Sequence, residues 1–248
     1  MGFNWHARFV QQAHWTEPLR RYLYPRAGLP AARRVIEIGC GTGVLTAELA
    51  SYTPAASFGI DIDYARLQQA RANDPHTAFL NGDASRLPFA DGQFDLVFCH
   101  YFLLWLPAPL QAVQEMRRIT RPGGSVLALA EPDYEGRIDY PGHLEQTARV
   151  ETEALRRQGA DPQAGRKLAA TFSQAGLTHV EAGILGGQWA YPVDPALISA
   201  EQDTLANDLG QALTESGWSA YIALDQHAWD QGERVLFVPT FYAWGRVP

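Results

Sequence analysis

The sequence has little of what marks disulfide-bonded, membrane-spanning or metal-binding proteins. It holds two cysteines in 248 residues, Cys40 and Cys99, outside any C-x-x-C pair, so we expect reduced thiols. No apolar run approaches the roughly 20 residues that a transmembrane helix needs. The seven histidines lack close ligand spacing, and no G-x-x-x-x-G-K-[ST] phosphate loop is present. We therefore expect no membrane association and no protein-bound metal.

Charge also limits the partners. The formal net charge is −7 and no tract of lysine or arginine occurs, which disfavours binding to duplex nucleic acid through phosphate neutralisation. The composition, 46% hydrophobic and 19% charged, is that of an ordinary folded enzyme. The N-terminal stretch contains His6, Arg8 and glutamines rather than an apolar signal core, so we expect a cytoplasmic protein. The sequence does not distinguish a monomer from a homodimer.

Strand and helix patterns alternate from Arg34 onwards. Seven segments read as strands: ARRVIEIG, ASFGIDI, TAFLNGD, QFDLVFCH, SVLALAEP after a Pro-Gly-Gly turn at 122–124, a strand within THVEAGILGGQWAY, and RVLFVPTFYAW. The first three alternate with amphipathic helical stretches in the order βαβαβ, which is typical of a parallel sheet. Because the central strands are nearly continuous apolar runs, both faces of that sheet should be covered. We predict an α/β fold with a mostly parallel sheet.

We expect one folded unit over 1–248, since a single core suffices up to roughly 250 residues. Its expected parts are an N-terminal helical cap at 1–33, a cofactor-binding core at 34–132 and the C-terminal half of the sheet at 133–248. The cap should hold two short helices, the second capped by Thr16. Residues 192–233 are too many for a plain connection, so they predict a helical insertion before the last strand, capped by Asp194.

Three alternating glycines follow the first strand in VIEIGCGTG, residues 35–43. Gly39, Gly41 and Gly43 lack a Cβ, so the turn can take positive φ values and a ligand can approach its backbone closely. Glu37 stands two residues before the first glycine. This pattern is typical of a nucleotide-cofactor site. An NAD-dependent oxidoreductase is one alternative, although Val44 stands just after the glycines and the fingerprint G-x-G-x-x-G is not matched.

The glycine turn, FGIDID, NGDASRLPF, DGQFDLVFCHYFLLWL and the RPGG before SVLALAEP together resemble the class I S-adenosylmethionine-dependent methyltransferases over roughly Val35 to Pro132. The resemblance implies a Rossmann-like, doubly wound, seven-stranded sheet. It also implies S-adenosylmethionine as cofactor and S-adenosylhomocysteine as product. The cofactor-binding residues that it implies are Glu37, Gly39, Cys40, Gly41, Gly43, Asp61, Ile62, Asp83, Ala84 and His100.

Within that set the resemblance gives individual roles. Asp61 would accept hydrogen bonds from both ribose hydroxyls, a task that suits a carboxylate. Asp83 would bind the adenine amino group, with Ile62 and Ala84 flanking the ring. Asp63 reads instead as a helix N-cap, and Asp83 could equally anchor a turn.

Catalysis and acceptor binding are expected at the carboxyl ends of the fourth and fifth strands. The catalytic candidates are His100, Tyr101 and Glu131. His100 is the first candidate for a base because its unperturbed pKa lies near neutrality, and the alternative is that it only shapes the pocket. The candidate acceptor-pocket residues are Trp15, Trp105, Tyr134 and Trp218, aromatic side chains that would suit a small apolar or aromatic acceptor.

The function that follows is in-line methyl transfer to a small-molecule acceptor whose nucleophile is oxygen, nitrogen or carbon. A catalytically silent S-adenosylmethionine-binding module is a second alternative. Cys40 follows the first strand and Cys99 ends the fourth, which are neighbours in the implied sheet order, and the sequence leaves open whether the two thiols are close. They are either inert buried side chains or a pair whose oxidation distorts the pocket.

Overall fold

The computed structural model describes residues 3–187 and 191–248. Its strands are β1 Arg34–Ile38, β2 Ala56–Asp61, β3 Ala78–Asn81, β4 Phe94–Cys99, β5 Thr120–Pro132, β6 Ile138–Tyr140, β7 Thr178–Leu185, β8 Val235–Phe237 and β9 Thr240–Arg246. Its α-helices are α1 Trp5–Trp15, α2 Glu17–Arg26, α3 Val44–Glu48, α4 Tyr64–Asn73, α5 Pro109–Ile119, α6 Glu145–Arg157, α7 Ala164–Gln174, α8 Pro195–Leu209 and α9 Glu215–Asp230. None of these helices is both long enough and apolar enough to cross a membrane.

Seven strands form the main sheet in the order β3-β2-β1-β4-β5-β9-β7. β1 pairs in parallel with β2 and β4, and β9 runs antiparallel to both β5 and β7. Strand order reverses direction between β1 and β4, so the carboxyl ends of these two strands border a crevice. The predicted α/β, Rossmann-like, mostly parallel sheet is confirmed.

Two apolar layers cover the faces of this sheet. On one face Val113, Met116 and Phe172 of α5 and α7 pack among buried strand residues. On the other face Leu23 of α2 and Leu45 of α3 do the same. The apolar character of β1 and β4 follows from burial on both sides.

The predicted last strand, RVLFVPTFYAW, is in fact two strands in two sheets. β8 pairs antiparallel with β6 in a separate two-stranded sheet, whereas β9 joins the main sheet. Between them lies Pro239, which has no N–H to donate to a ladder, and its carbonyl oxygen accepts a hydrogen bond from the Asp133 N–H at 2.8 Å. The prediction of a single strand was wrong because Pro239 interrupts the segment between β8 and β9.

The insertion before β9 contains two helices. α8 begins at the predicted cap, where the Asp194 side chain accepts from the Ala196 N–H at 2.9 Å. It ends at Gly210, whose φ of +54° leaves the helical region. α9 then starts from Thr214, whose hydroxyl accepts from the Gly217 N–H. Leu205, Leu209 and Tyr221 form a small core between these helices and α6.

Three smaller expectations differ from the structure or extend beyond the residues that it describes. Thr16 lies at the start of α2, but its side chain makes no capping bond there and instead donates to the Gln12 carbonyl at 2.9 Å. The predicted turn at 122–124 falls within β5, where the register against β4 shifts. The strand predicted within 178–191 is observed as β7, and residues 188–190 lie outside the described part of the chain.

Candidate functional site

The glycine turn between β1 and α3 has the backbone that its sequence predicts. Gly39, Gly41 and Gly43 have φ angles of +72°, +52° and +79°. A Cβ at Gly39 would lie 2.2 Å from the Phe102 ring, and one at Gly41 would lie 2.7 Å from the Phe9 ring. Only glycine is therefore compatible with both the backbone angles and the close neighbours at these positions.

Asp61, at the carboxyl end of β2, holds this turn. Its Oδ2 accepts from the Gly41 N–H at 2.7 Å, and its Oδ1 accepts from the Asp63 N–H at 2.8 Å. Each carboxylate oxygen can accept a further hydrogen bond, so the oriented group can still bind a pair of hydroxyls. Asp63 caps α4 through the Ala65 and Arg66 N–H groups, as predicted.

Ile62, Asp83 and Ala84 lie beyond β2 and β3, next to Asp61 in the sheet order. Ile62 is 71% exposed, although it is a large apolar side chain, while Ala84 is buried. The exposed Asp83 carboxylate accepts from the Ser85 N–H at 2.8 Å, and this bond holds the pKa of Asp83 below its usual value. An exposed apolar surface beside an ionised acceptor fits a heteroaromatic ring with an amino group.

Glu37 lies under the turn and is almost fully buried. Burial raises the pKa of Glu37 to about 8, and the Thr46 hydroxyl donates to its carboxyl group. The group supports α3 from below, because it binds a helix side chain.

The two cysteines belong to different apolar clusters. Cys40 packs with Leu67, Ala70 and Phe79, whereas Cys99 lies in the core beneath α5. Burial raises the pKa of both thiols, which keeps them protonated. This environment favours inert buried side chains.

Helix α1 lies across the glycine turn. The Phe9 ring rests against Gly41, and His6 Nδ1 lies 2.8 Å from the Thr42 hydroxyl. From the other side the Arg66 guanidinium of α4 stacks over the Trp5 ring at 5.1 Å. The N-terminal segment therefore covers the same backbone that the sequence assigns to the cofactor.

His100 follows β4 and faces the junction of α1 and α2. Its Nε2 lies 2.9 Å from the Thr16 hydroxyl, which also accepts from Arg20 Nη1 at 2.7 Å. Burial, with the positive charge of Arg20, lowers the pKa of His100 to about 3. The imidazole is therefore neutral at physiological pH and only a weak base.

Tyr101 has a backbone conformation that is uncommon for a bulky residue. Its φ is +49°, and its N–H donates to the Ala130 carbonyl at 2.8 Å. Such a conformation costs on the order of 1–3 kcal/mol and persists only where neighbours impose it. The side chain reaches the wall of a cavity, so Tyr101 links the end of β4 with that space.

Glu131, at the end of β5, is fully buried and used by the protein itself. Its two carboxylate oxygens accept from the Phe102, Leu103 and Leu104 N–H groups at 2.9 to 3.0 Å. Burial still raises the pKa of Glu131 to about 7. These bonds fix the turn after Tyr101, which points to a positioning role.

The cavity has a volume of about 540 Å³ and lies between α1, the ends of β4 and β5, and the insertion. Of the four predicted pocket residues, Trp15 and Tyr134 line it. Trp105 is 41% exposed and does not line this cavity. Trp218 stacks on Tyr221 at 5.6 Å, and it is Tyr221 that contributes to the wall.

Several polar residues of the cavity were not singled out from the sequence. Arg8 and Gln11 of α1 meet Glu201 of α8, which lies 193 and 190 positions further on, and each donates to Glu201 Oε1 at 3.0 Å. No local pattern marks such distant partners. Among the described residues, no group of three or more His, Cys, Asp or Glu side chains could hold a metal ion.

Comparisons with known proteins agree with this architecture. A family profile described as a methyltransferase domain matches residues 36–128. Methyltransferase GfsG of Streptomyces halstedii is 29% identical over 222 residues, which are 86% of this chain and 77% of that protein. Malonyl-[acyl-carrier protein] O-methyltransferase of Erwinia pyrifoliae is 34% identical over 126 residues, 51% of this chain and 45% of that protein.

The crystal structure of the YcgJ protein from Bacillus subtilis shares the fold. It superposes with a TM-score of 0.61 at 18% identity and covers 93% of this chain and 98% of its own. Residues 36–128 thus match a methyltransferase domain, and the chain is similar in sequence to proteins named as methyltransferases. It spans between about half and three quarters of the length of the curated relatives that it matches first.

Proposed function

We propose that this protein transfers a methyl group from S-adenosylmethionine to a small-molecule acceptor. The observation that carries the proposal is the adjacency of two sites. The turn held by Asp61 lies at the carboxyl ends of β1 and β2, and Tyr101 leads from the end of β4 to a cavity of about 540 Å³. Such a volume suits a small molecule. The acceptor atom is an oxygen, nitrogen or carbon nucleophile.

The chain's own residues fit the cofactor. Gly39 and Gly41 leave their backbone free of a Cβ, Asp61 supplies an oriented carboxylate for the ribose, and Ile62 with Asp83 offers a ring-binding edge. When bound, the cofactor supplies a methyl carbon already activated by its sulfonium. The protein then has to hold the acceptor in line with that carbon and exclude water.

A strong base is not required for this chemistry. His100, with a pKa of about 3, orients the end of β4 through Thr16, and Glu131 fixes the turn after Tyr101. The proton that a hydroxyl or amine acceptor loses passes to bulk water when the methylated product leaves the site. We place the protein in the cytoplasm, in keeping with the reduced thiols that its cysteines favour.

Asp61→Asn tests the cofactor site. The substitution removes the charge from two ribose hydrogen bonds, each worth about 1.5–3 kcal/mol, so S-adenosylhomocysteine should bind at least about tenfold more weakly. Asp63→Asn is the matched control, because asparagine caps a helix as well as aspartate does and affinity should not change. Equal affinities of the two folded variants, measured by calorimetry, contradict the assignment of Asp61.

Turnover separates an enzyme from a silent binding module. The wild-type protein should release S-adenosylhomocysteine with at least one member of a library of small alcohols, phenols and amines. Binding of the cofactor product without turnover on any member favours the non-catalytic alternative.

A further inference from the structure

We propose that the cavity beside Tyr101 binds an electrically neutral, largely apolar molecule through a hydroxyl group held between Arg8 and Glu201. That this molecule is the methyl acceptor rests on the proposed function. The binding site itself is defined by residues that do not touch the glycine turn, and it can be tested without cofactor.

The walls of the cavity are mostly apolar and aromatic. Six of the side chains that form them are Trp15, Pro18, Tyr134, Leu197, Leu205 and Trp229. Aromatic and aliphatic surfaces gain free energy when they cover an apolar ligand, at roughly 25 cal/mol per Å² removed from water. The body of the ligand is therefore apolar.

A group of hydrogen-bonded polar side chains links α1 to α8 across the cavity. Arg8 Nη1 donates to Glu201 Oε1 at 3.0 Å and to Gln11 Oε1 at 2.9 Å, while Gln11 Nε2 donates to the same Glu201 oxygen at 3.0 Å. The Arg8 guanidinium also stacks over the Trp15 ring at 4.6 Å. With an exposed fraction of 11% for its side chain, Arg8 is held in place by these contacts.

Arg8 and Glu201 each have atoms that can form a further hydrogen bond. Within residues 3–187 and 191–248, Glu201 Oε2 accepts no hydrogen bond and Arg8 donates from Nη1 alone. Both residues line the cavity. A carboxylate oxygen accepts and a guanidinium donates, and a hydroxyl is the small group that can donate to one and accept from the other with a single oxygen.

The charges argue for a neutral ligand. Arg8 and Glu201 compensate each other, so a bound anion would meet the carboxylate and a bound cation would meet the guanidinium, and burying either without a partner is costly. The other charged residues that line the cavity, Arg137, Glu151 and Asp225, are paired through Arg137–Asp139, Arg137–Glu151, Arg234–Asp139 and Arg234–Asp225 contacts. Three carboxylates against two arginines in that group further disfavour an anion.

Three probes with the same naphthyl ring and a neutral, an anionic or a cationic polar group test the proposal: 2-naphthalenemethanol, 2-naphthoate and 2-naphthylmethylammonium. Their affinities for the wild-type protein at neutral pH can be measured by calorimetry in the absence of cofactor. The alcohol should bind at least about tenfold more tightly than either ion, which corresponds to about 1.4 kcal/mol. Equal or tighter binding of either ion overturns the proposal, as does failure of all three to bind.

Two substitutions should reverse the preference in opposite directions. Glu201→Gln leaves the Arg8 charge uncompensated, so 2-naphthoate should gain at least about tenfold in affinity. Arg8→Gln exposes the Glu201 charge, so the ammonium probe should gain similarly. Glu215→Gln, on the exposed first turn of α9, is the matched control and should keep the wild-type order.

The variants are first compared by circular dichroism, and the wild-type probe order alone remains decisive if one of them does not fold. An unchanged probe order in folded Glu201→Gln and Arg8→Gln proteins overturns the role of the pair. Asp61→Asn should retain probe binding. If the wild-type protein binds no S-adenosylhomocysteine but shows the expected probe order, that result counts against the methyltransferase proposal and leaves the binding site standing.

Discussion

Glu37 and Glu131 are buried carboxyl groups at the site that bind the protein's own groups. Glu37 accepts from the Thr46 hydroxyl, and Glu131 accepts from three successive backbone N–H groups after Tyr101. Burial raises the pKa of both, to about 8 and about 7 respectively. Each carboxyl group therefore links the stability of the fold to pH.

The sign of that dependence can be checked with Glu37→Gln. The pKa of Glu37 rises from 4.5 to about 8 on folding, so its contribution to stability is complete at low pH and is lost as pH rises through about 8. Between pH 4.5 and about 8, Glu37 lowers the unfolding free energy by about 1.4 kcal/mol per pH unit. Glu37→Gln should remove this slope from urea unfolding curves measured between about pH 5.5 and 7.5, and the exposed Glu215→Gln should not. An unchanged slope in Glu37→Gln contradicts a protonated Glu37.

Local residue patterns predicted local structure well. Asp63 and Asp194 were expected to cap helices, and each accepts from backbone N–H groups of its first turn. The same rule predicted that Thr16 caps α2, and this prediction was wrong because its hydroxyl is hydrogen-bonded to Gln12, Arg20 and His100. Roles that depend on residues far away in the chain, as here, have no signature in the local sequence.

At the scale of elements, α1 is the segment whose position most affects the site. It places Phe9 against Gly41 and His6 against Thr42, and it also brings Arg8 to Glu201 of the insertion. One helix therefore contacts both the cofactor turn and the wall of the cavity. A change in its position should alter both sites together.

Gly41→Ala tests the packing of α1 on the turn. Its φ of +52° is unfavourable for alanine by about 1–2 kcal/mol, and the new Cβ would lie 2.7 Å from the Phe9 ring. The unfolding free energy should fall by at least that amount, and binding of S-adenosylhomocysteine should weaken. Gly142→Ala is the control, since the nearest atom to its Cβ is 3.6 Å away and its φ is not positive. Adding Phe9→Ala to Gly41→Ala should restore only the part of the lost unfolding free energy that comes from the contact between the new Cβ and the Phe9 ring. Wild-type stability of Gly41→Ala would contradict the described packing.

The order of elements was predictable, but their pairing at the C-terminal end was not. The βαβ alternation and apolar strands predicted a mostly parallel sheet, and the family resemblance implied its seven strands. The sheet of β6 and β8 could not be predicted because each strand has three residues, too few for a periodic pattern. Arg234, fully buried between Asp139 and Asp225, likewise depends on partners that only the fold brings together.

At the scale of the whole molecule, the residues that match the family profile and the residues that form the cavity wall are mostly different ones. The profile match ends at residue 128, whereas most of the cavity wall comes from α1 and from residues beyond Pro132. The cofactor class could therefore be predicted from the sequence, while the cavity that we propose for the acceptor required the structure. Acceptor choice should accordingly change with substitutions in α1 and α8 and be insensitive to Asp61→Asn.

Calorimetric titration of the purified protein with S-adenosylhomocysteine, with NAD as the parallel control, tests the central claim most directly. Both ligands carry an adenosine and could use the proposed ring-binding edge at Asp83, but the NAD fingerprint G-x-G-x-x-G is broken by Val44 after Gly43. The account predicts saturable binding of S-adenosylhomocysteine at one site and none of NAD. Saturable binding of NAD alone, or binding of neither ligand, would contradict it.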